Sequence, residues 1–226
     1  MTVTSSKRSV NNPVAALTRR WASARTTGAP RYGPFEVLYE SPLTLVFGSA
    51  RPAQLLFMTG DTLPRRLHDE LHRFPVTWML AWRPGMPGRE HAREIAALSR
   101  RFALPVRFVG DISPYDVHVF LEYRHRLSSW KVRIQWAGIG GAWLTECARR
   151  LGGIAPFRSV LVDLTPEERR HRDQLERCEP RLPGLLGEDV WAILRSGRKL
   201  TIEAASGMAA FGRDIHRAIV RSLSRR

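Results

Sequence analysis

Pro105-Val106-Arg107-Phe108-Val109-Gly110-Asp111-Ile112-Ser113-Pro114-Tyr115-Asp116 decides how this chain is read. A short run of β-branched and aromatic residues stops at Gly110-Asp111, and a proline that can open a helix follows at once. In a parallel α/β sheet this order puts Asp111 at the carboxyl end of a strand, where such folds keep their ligands.

The pattern on either side agrees. Residues 35–39 and 43–47 read as a short hairpin or as two edge strands around Ser41-Pro42. Leu55-Leu56-Phe57-Met58 is a compact apolar strand ending at Thr59-Gly60-Asp61. Leu63, Leu67, Leu71 and Phe74 then recur at helical spacing. A second strand over 76–82 is broken by Arg83-Pro84-Gly85, and Ile95, Leu98 and Phe102 mark the core face of a further helix. Residues 106–109 form the third strand, 114–126 the third helix and 132–136 the fourth strand, which Gly138-Ile139-Gly140-Gly141 ends. Strands alternating with helices across short loops predict an α/β domain of Rossmann type. Its sheet is mostly parallel and four-stranded, with helices on both faces.

The organisation predicted is a flexible basic arm over 1–34, the α/β domain over 35–160 and a helical extension over 161–226 packed on it. The arm holds Lys7, Arg8, Arg19, Arg20, Arg25 and Arg31, with no acidic residue before Glu36. An organelle transit peptide has the same composition and stays open as an alternative. In the extension, Thr165-Pro166-Glu167-Glu168 has the form of a capping box, and no convincing strand follows. A last helix is expected over 199–223, carrying Arg213, Arg217, Arg221 and Arg225 as one stripe at every fourth residue.

Charge is the loudest bulk feature. The 226 residues carry a formal +15, and only Lys7, Lys131 and Lys199 among the 36 basic residues are not arginine. Arginine pairs bidentately with phosphate oxygens, so a polyanionic partner is expected, DNA before any other. A coding bias that scatters arginine over solvated surfaces would give the same composition. No apolar run approaches the 18 or so residues of a membrane span. Cys147 and Cys178 lie far apart without CxxC spacing, as free or buried thiols of a reducing compartment do. A cytoplasmic protein, nucleoid-associated in one version, follows.

Gly110-Asp111-Ile112-Ser113-Pro114-Tyr115-Asp116 resembles the Asp-x-Asp-Pro-Tyr-Gly element of the Toprim domain in the A subunit of topoisomerase VI and its meiotic double-strand-break relatives. Ile134-Gln135-Trp136-Ala137-Gly138-Ile139 is similar to the strand and loop that read Trp-Leu-Gly-Leu in those proteins. Leu164-Thr165-Pro166-Glu167-Glu168 looks like their acidic helix start, and residues 189–204 look like the tail in which a helix, a Gly and a Lys precede Glu-x-Glu. The likeness covers roughly residues 50–206. A related domain occurs in the nuclease subunit of the Wadjet plasmid-defence system.

The resemblance implies a Mg²⁺ site built from acidic residues at two adjacent strand ends, clamping a phosphodiester. The departures lie in that site. Thr59 stands where the family's first strand ends in Glu, with Asp61 two residues on; Asp111 is kept; Ser113 replaces the second Asp; and Asp116 stands where the family often has Gly. Asp111, Asp61 and Asp116 are therefore the candidate metal ligands. Asp111 has an equally simple structural reading as the cap of the helix near Pro114. The family's winged-helix domain, with its attacking tyrosine, has no match among the about fifty residues before this part; Tyr32 and Tyr39 fall there, and Tyr39 reads as a packed strand residue.

Three functions follow. The first is a non-catalytic or accessory DNA-binding subunit with a degenerate metal site, touching phosphates through Arg19, Arg20 and the Arg213/Arg217/Arg221/Arg225 stripe. The second is a Mg²⁺-dependent DNA-cleaving or phosphotransfer enzyme rebuilt around Asp111 with Asp61 or Asp116. The third is an interaction module for a partner subunit in a larger complex. His68 and His72 stand at i and i+4 on a face expected to be solvated, and His118, His125 and His171 have no partner at ligand spacing.

Overall fold

The computed structural model describes residues 36–39, 44–47, 52–59, 78–83, 85–137, 139–140, 159–202 and 204. The strands are β1 (Glu36–Tyr39), β2 (Thr44–Phe47), β3 (Gln54–Met58), β4 (Trp78–Trp82), β5 (Val106–Val109), β6 (Ile134–Trp136), β7 (Val162–Asp163) and β8 (Arg198–Lys199). The helices are α1 (Arg89–Phe102), α2 (Pro114–Ser128), α3 (Pro166–Cys178), α4 (Leu182–Leu186) and α5 (Glu188–Arg195).

Strands β4, β3, β5 and β6 run parallel in that order and form the four-stranded core of an α/β, Rossmann-like sheet. The hairpin β1–β2 adds two strands by pairing antiparallel with β4, so the whole sheet has the order β1-β2-β4-β3-β5-β6. β3 is central, and all five of its residues are buried. That is why its sequence shows a continuous apolar run instead of alternation: a strand covered on both faces has no polar side to present.

α1 carries the chain from β4 over to β5, and α2 from β5 to β6. The apolar face of α1 holds Ala92, Ile95, Leu98 and Phe102, all buried. α2 is flanked by α1 and α3, so Val117, Val119, Phe120, Tyr123 and Leu127 are buried around most of its circumference. Phe57, Phe108, Phe120, Tyr123 and Trp136 form an aromatic cluster between sheet and helix, with ring centroids 4.2–5.9 Å apart. Each such ring contributes about 1.5–3 kcal/mol by leaving water. Leu182, Leu186, Val190, Trp191, Leu194, Leu200 and Ile202 belong to the same core as the sheet.

The carboxyl-terminal part differs from the reading of its sequence in two ways. It contains strands: β7 and β8 pair antiparallel, and Ile112 forms a bridge with Leu200. Lys199 lies in β8, and helical structure resumes only at Ile202. Two-residue strands leave no periodicity to read, which is why they escaped. The helix expected over 63–74 and the arginines at 19, 20, 213, 217, 221 and 225 lie outside the described residues. No described helix is long and apolar enough to cross a membrane.

Candidate functional site

β3 sends the chain to β4 on one side, whereas β5 sends it to β6 on the other. The carboxyl ends of β3 and β5 therefore flank the point where the sheet's winding reverses, the usual ligand position of open α/β sheets. Thr59 follows β3, and Gly110-Asp111 follows β5. The residues singled out in the sequence thus come together here, apart from Asp61, which lies outside the described residues.

The local cause is the start of α2. Ser113 is its N-cap, with Oγ accepting the Asp116 N–H at 3.1 Å, and Pro114 occupies the first turn. The cap is therefore Ser113 and not Asp111; Ser113 stands directly before Pro114, where a cap oxygen can reach the N3 amide. Asp116, at N3, turns its carboxylate back under the end of β5. Its Oδ2 accepts the Asp111 N–H at 2.7 Å, and its Oδ1 accepts the Thr59 hydroxyl at 3.2 Å. Gly110 makes this possible: a Cβ there would stand 2.5 Å from Phe108 Cε1 and 3.1 Å from the Asp116 Cβ. Asp116 is only 8% exposed. Burial pushes its carboxyl above the ordinary value, against the opposing pull of the Asp111 N–H and the Thr59 hydroxyl.

Asp111 points elsewhere. Its Oδ1 accepts the Ile202 N–H at 2.8 Å, while the Ile112 and Leu200 backbones exchange two hydrogen bonds at 2.9 and 3.0 Å. The strip is held from below as well. Lys199 Nζ donates to Glu168 Oε1 at 2.6 Å, in the capping box where Thr165 and Glu168 exchange bonds of 2.9 and 3.2 Å. Burial works against the Glu168 charge, but the Lys199 and Thr165 donors outweigh it and hold its carboxyl below the ordinary value.

As the described side chains stand, and with Asp61 outside them, the rim does not present the outward carboxylates that a resident Mg²⁺ needs. A hard cation needs carboxylate oxygens turned outward to meet it at about 2.0–2.1 Å. Both Asp116 oxygens face inward onto an N–H and an O–H, and one Asp111 oxygen is taken by a backbone amide. Thr59 donates into the cluster and adds no charge. Among the described residues no three His, Cys, Asp or Glu side chains gather as a metal group.

The sequence matches no protein-family model, and no curated protein matches it.

A second feature lies in how the fold uses its arginines. Arg124, Arg126, Arg172, Arg195 and Arg198 are held in ion pairs with Glu179, Glu122, Asp173, Glu176 and Asp163. Arg169 donates to the Leu164 carbonyl and Arg177 to that of Asp173. Arg89, Arg93 and Arg100 on α1 are exposed and, among the described residues, enter no ion pair or side-chain hydrogen bond. At about 100° per residue these three fall within roughly 40° of one another, over about 16 Å of helix. Glu90, Glu94 and Arg101 lie on the adjoining flank, so the row itself is purely cationic. Arg101, Arg133 and Arg170 are also exposed and outside any ion pair among the described residues, but only Arg89, Arg93 and Arg100 line up along one helix edge.

Proposed function

We propose that this protein binds DNA through the phosphate backbone as a non-catalytic or accessory subunit of Toprim-like build. The observation that carries the reading is the Arg89/Arg93/Arg100 row: exposed guanidinium groups in line and in no ion pair among the described residues, on a chain of net charge +15. A cationic line along one helix edge is the electrostatic footprint of a nucleic-acid-binding surface. Backbone contact of this kind needs no base readout, because the energy comes from counterions released as phosphates are neutralised.

The rim of the sheet supports binding over cleavage. Its two described carboxylates are engaged in holding loop, helix and carboxyl-terminal strip in place, so the reading gives Mg²⁺ no resident position. The Arg213/Arg217/Arg221/Arg225 stripe and Arg19/Arg20 would add further phosphate contacts, and a place in the cytoplasm on the nucleoid belongs to the same reading. The test is incubation of the full chain with supercoiled duplex DNA, with and without Mg²⁺. Retarded DNA without nicking is the expected result; Mg²⁺-dependent nicking that Asp111→Ala abolishes would overturn it.

A further inference from the structure

α2 and α3 each turn one stripe of side chains toward a shared groove of about 880 Å³, which also meets β6. On α2 the stripe contains His118, Glu122 and His125; on α3 it contains His171, Gln174 and Cys178. Within it, His171 Nε2 lies 3.0 Å from His118 Nδ1, with the rings inclined at 73°. The two histidines are 53 positions apart, so spacing along the chain gave no sign of the pair.

We infer that His118 and His171 form the core of a zinc-class metal site between α2 and α3, completed from Glu122 or Cys178 and open to solvent through the groove. The warrant is the nitrogen separation. Two imidazole nitrogens each about 2.0–2.1 Å from one ion stand about 2.9 Å apart at a right angle and about 3.3 Å apart at a tetrahedral angle. The observed 3.0 Å falls between these limits, so one ion fits once the two rings turn their lone pairs off the N···N line toward it. Without metal, one ring must donate an N–H to the other's lone pair. For Zn²⁺ to take both lone pairs, the donor ring shifts that proton to its other nitrogen, so two neutral rings bind the ion without releasing a proton.

Further donors lie along the same stripes. Glu122 is one helical turn from His118 and is held only by an exposed-side pair with Arg126 at 3.3 Å. Cys178 is a free, exposed thiol two turns from His171. Nitrogen, thiolate and carboxylate donors select borderline ions such as Zn²⁺ and Co²⁺ over Mg²⁺. No third ligand has swung in as the side chains now stand, consistent with the lack of any three-residue metal group among the described residues. The ion would tie α2, which starts at the sheet's rim, to α3, whose Glu168 anchors the strip that holds Asp111.

The experiment is calorimetric titration of the metal-stripped full chain with Zn²⁺ alone, repeated with His118→Gln, His171→Gln and His68→Gln. One ion per chain is expected, with affinity reduced at least about tenfold by either of the first two substitutions and unchanged by the third. The wild-type chain gives an independent readout: Zn²⁺ should protect His118 and His171, and not His68 or His72, from modification by diethyl pyrocarbonate. With Co²⁺, a thiolate-to-metal absorption lost in Cys178→Ser would name cysteine as third ligand; its absence assigns Glu122. No Zn²⁺ binding, or binding and protection centred on His68 and His72, would overturn the site and leave His118–His171 as a neutral hydrogen bond.

Discussion

Asp111 Oδ1 accepts the Ile202 N–H at 2.8 Å, joining residues 91 positions apart. The side chain most suggestive of catalysis in the sequence thus closes a clamp between the end of β5 and the carboxyl-terminal strip. Asp111→Ala should lower stability by about 1–2 kcal/mol, the usual cost of a backbone donor losing its charged acceptor. Asp111→Asn should recover part of this, because its carbonyl can still accept. Urea denaturation of the three proteins checks both. Equal stabilities would show the clamp to be energetically idle.

Asp116 makes a prediction about pH. Its folded-state pKa is raised by burial, so the folded chain holds this proton more tightly than the unfolded chain. Its contribution to stability is present in full below about pH 4 and is lost as pH rises through the raised value. Asp116→Asn should remove that downward component. Denaturation midpoints of wild type and variant across pH 3.5–7 should therefore draw together or cross as pH rises; parallel curves would refute the assignment.

Gly110→Ala should destabilise the rim by about 1–3 kcal/mol, the range for overpacking a filled site. The added methyl meets the Phe108 ring and the Asp116 Cβ at 2.5 and 3.1 Å, and only the ring can give way without moving α2. A thermal melt reads the loss, and an unshifted melting temperature would show that the loop tolerates a side chain.

His171 has the opposite sign to Asp116. Its pKa is lowered by burial and by His118, so its contribution to stability is present above about pH 6.5 and lost as pH falls through the depressed value. His171→Gln should flatten the fall in melting temperature between pH 7 and 5 in the metal-free chain. An unchanged slope would place the acid sensitivity elsewhere.

Much of the fold is legible in the sequence because its signals are local. The apolar run of β5, the Gly-Asp stop and Pro114 define strand, turn and helix within twelve residues. Thr165 and Glu168 announce the start of α3 by their spacing alone, and the structure realises that capping box. What escapes is what depends on distant partners. Asp111 is captured by Ile202, and His118 by His171, across separations no periodicity encodes. Ser113 instead of Asp111 caps α2 because the choice rests on which oxygen reaches the N3 amide. The α1 row is hidden for a similar reason: which arginines find a carboxylate depends on residues distant in the chain.

Contact between α1 and the phosphate backbone is tested most directly by the salt dependence of DNA binding. Affinity for a duplex should be measured at several salt concentrations for the wild type and for Arg89→Gln/Arg93→Gln/Arg100→Gln. Each lost phosphate contact lowers the slope of log K against log salt by about 0.9, so the triple variant should lose up to about 3 in slope and bind more weakly at every concentration. An unchanged slope in a folded triple variant, or wild-type binding indifferent to salt, would contradict the claim.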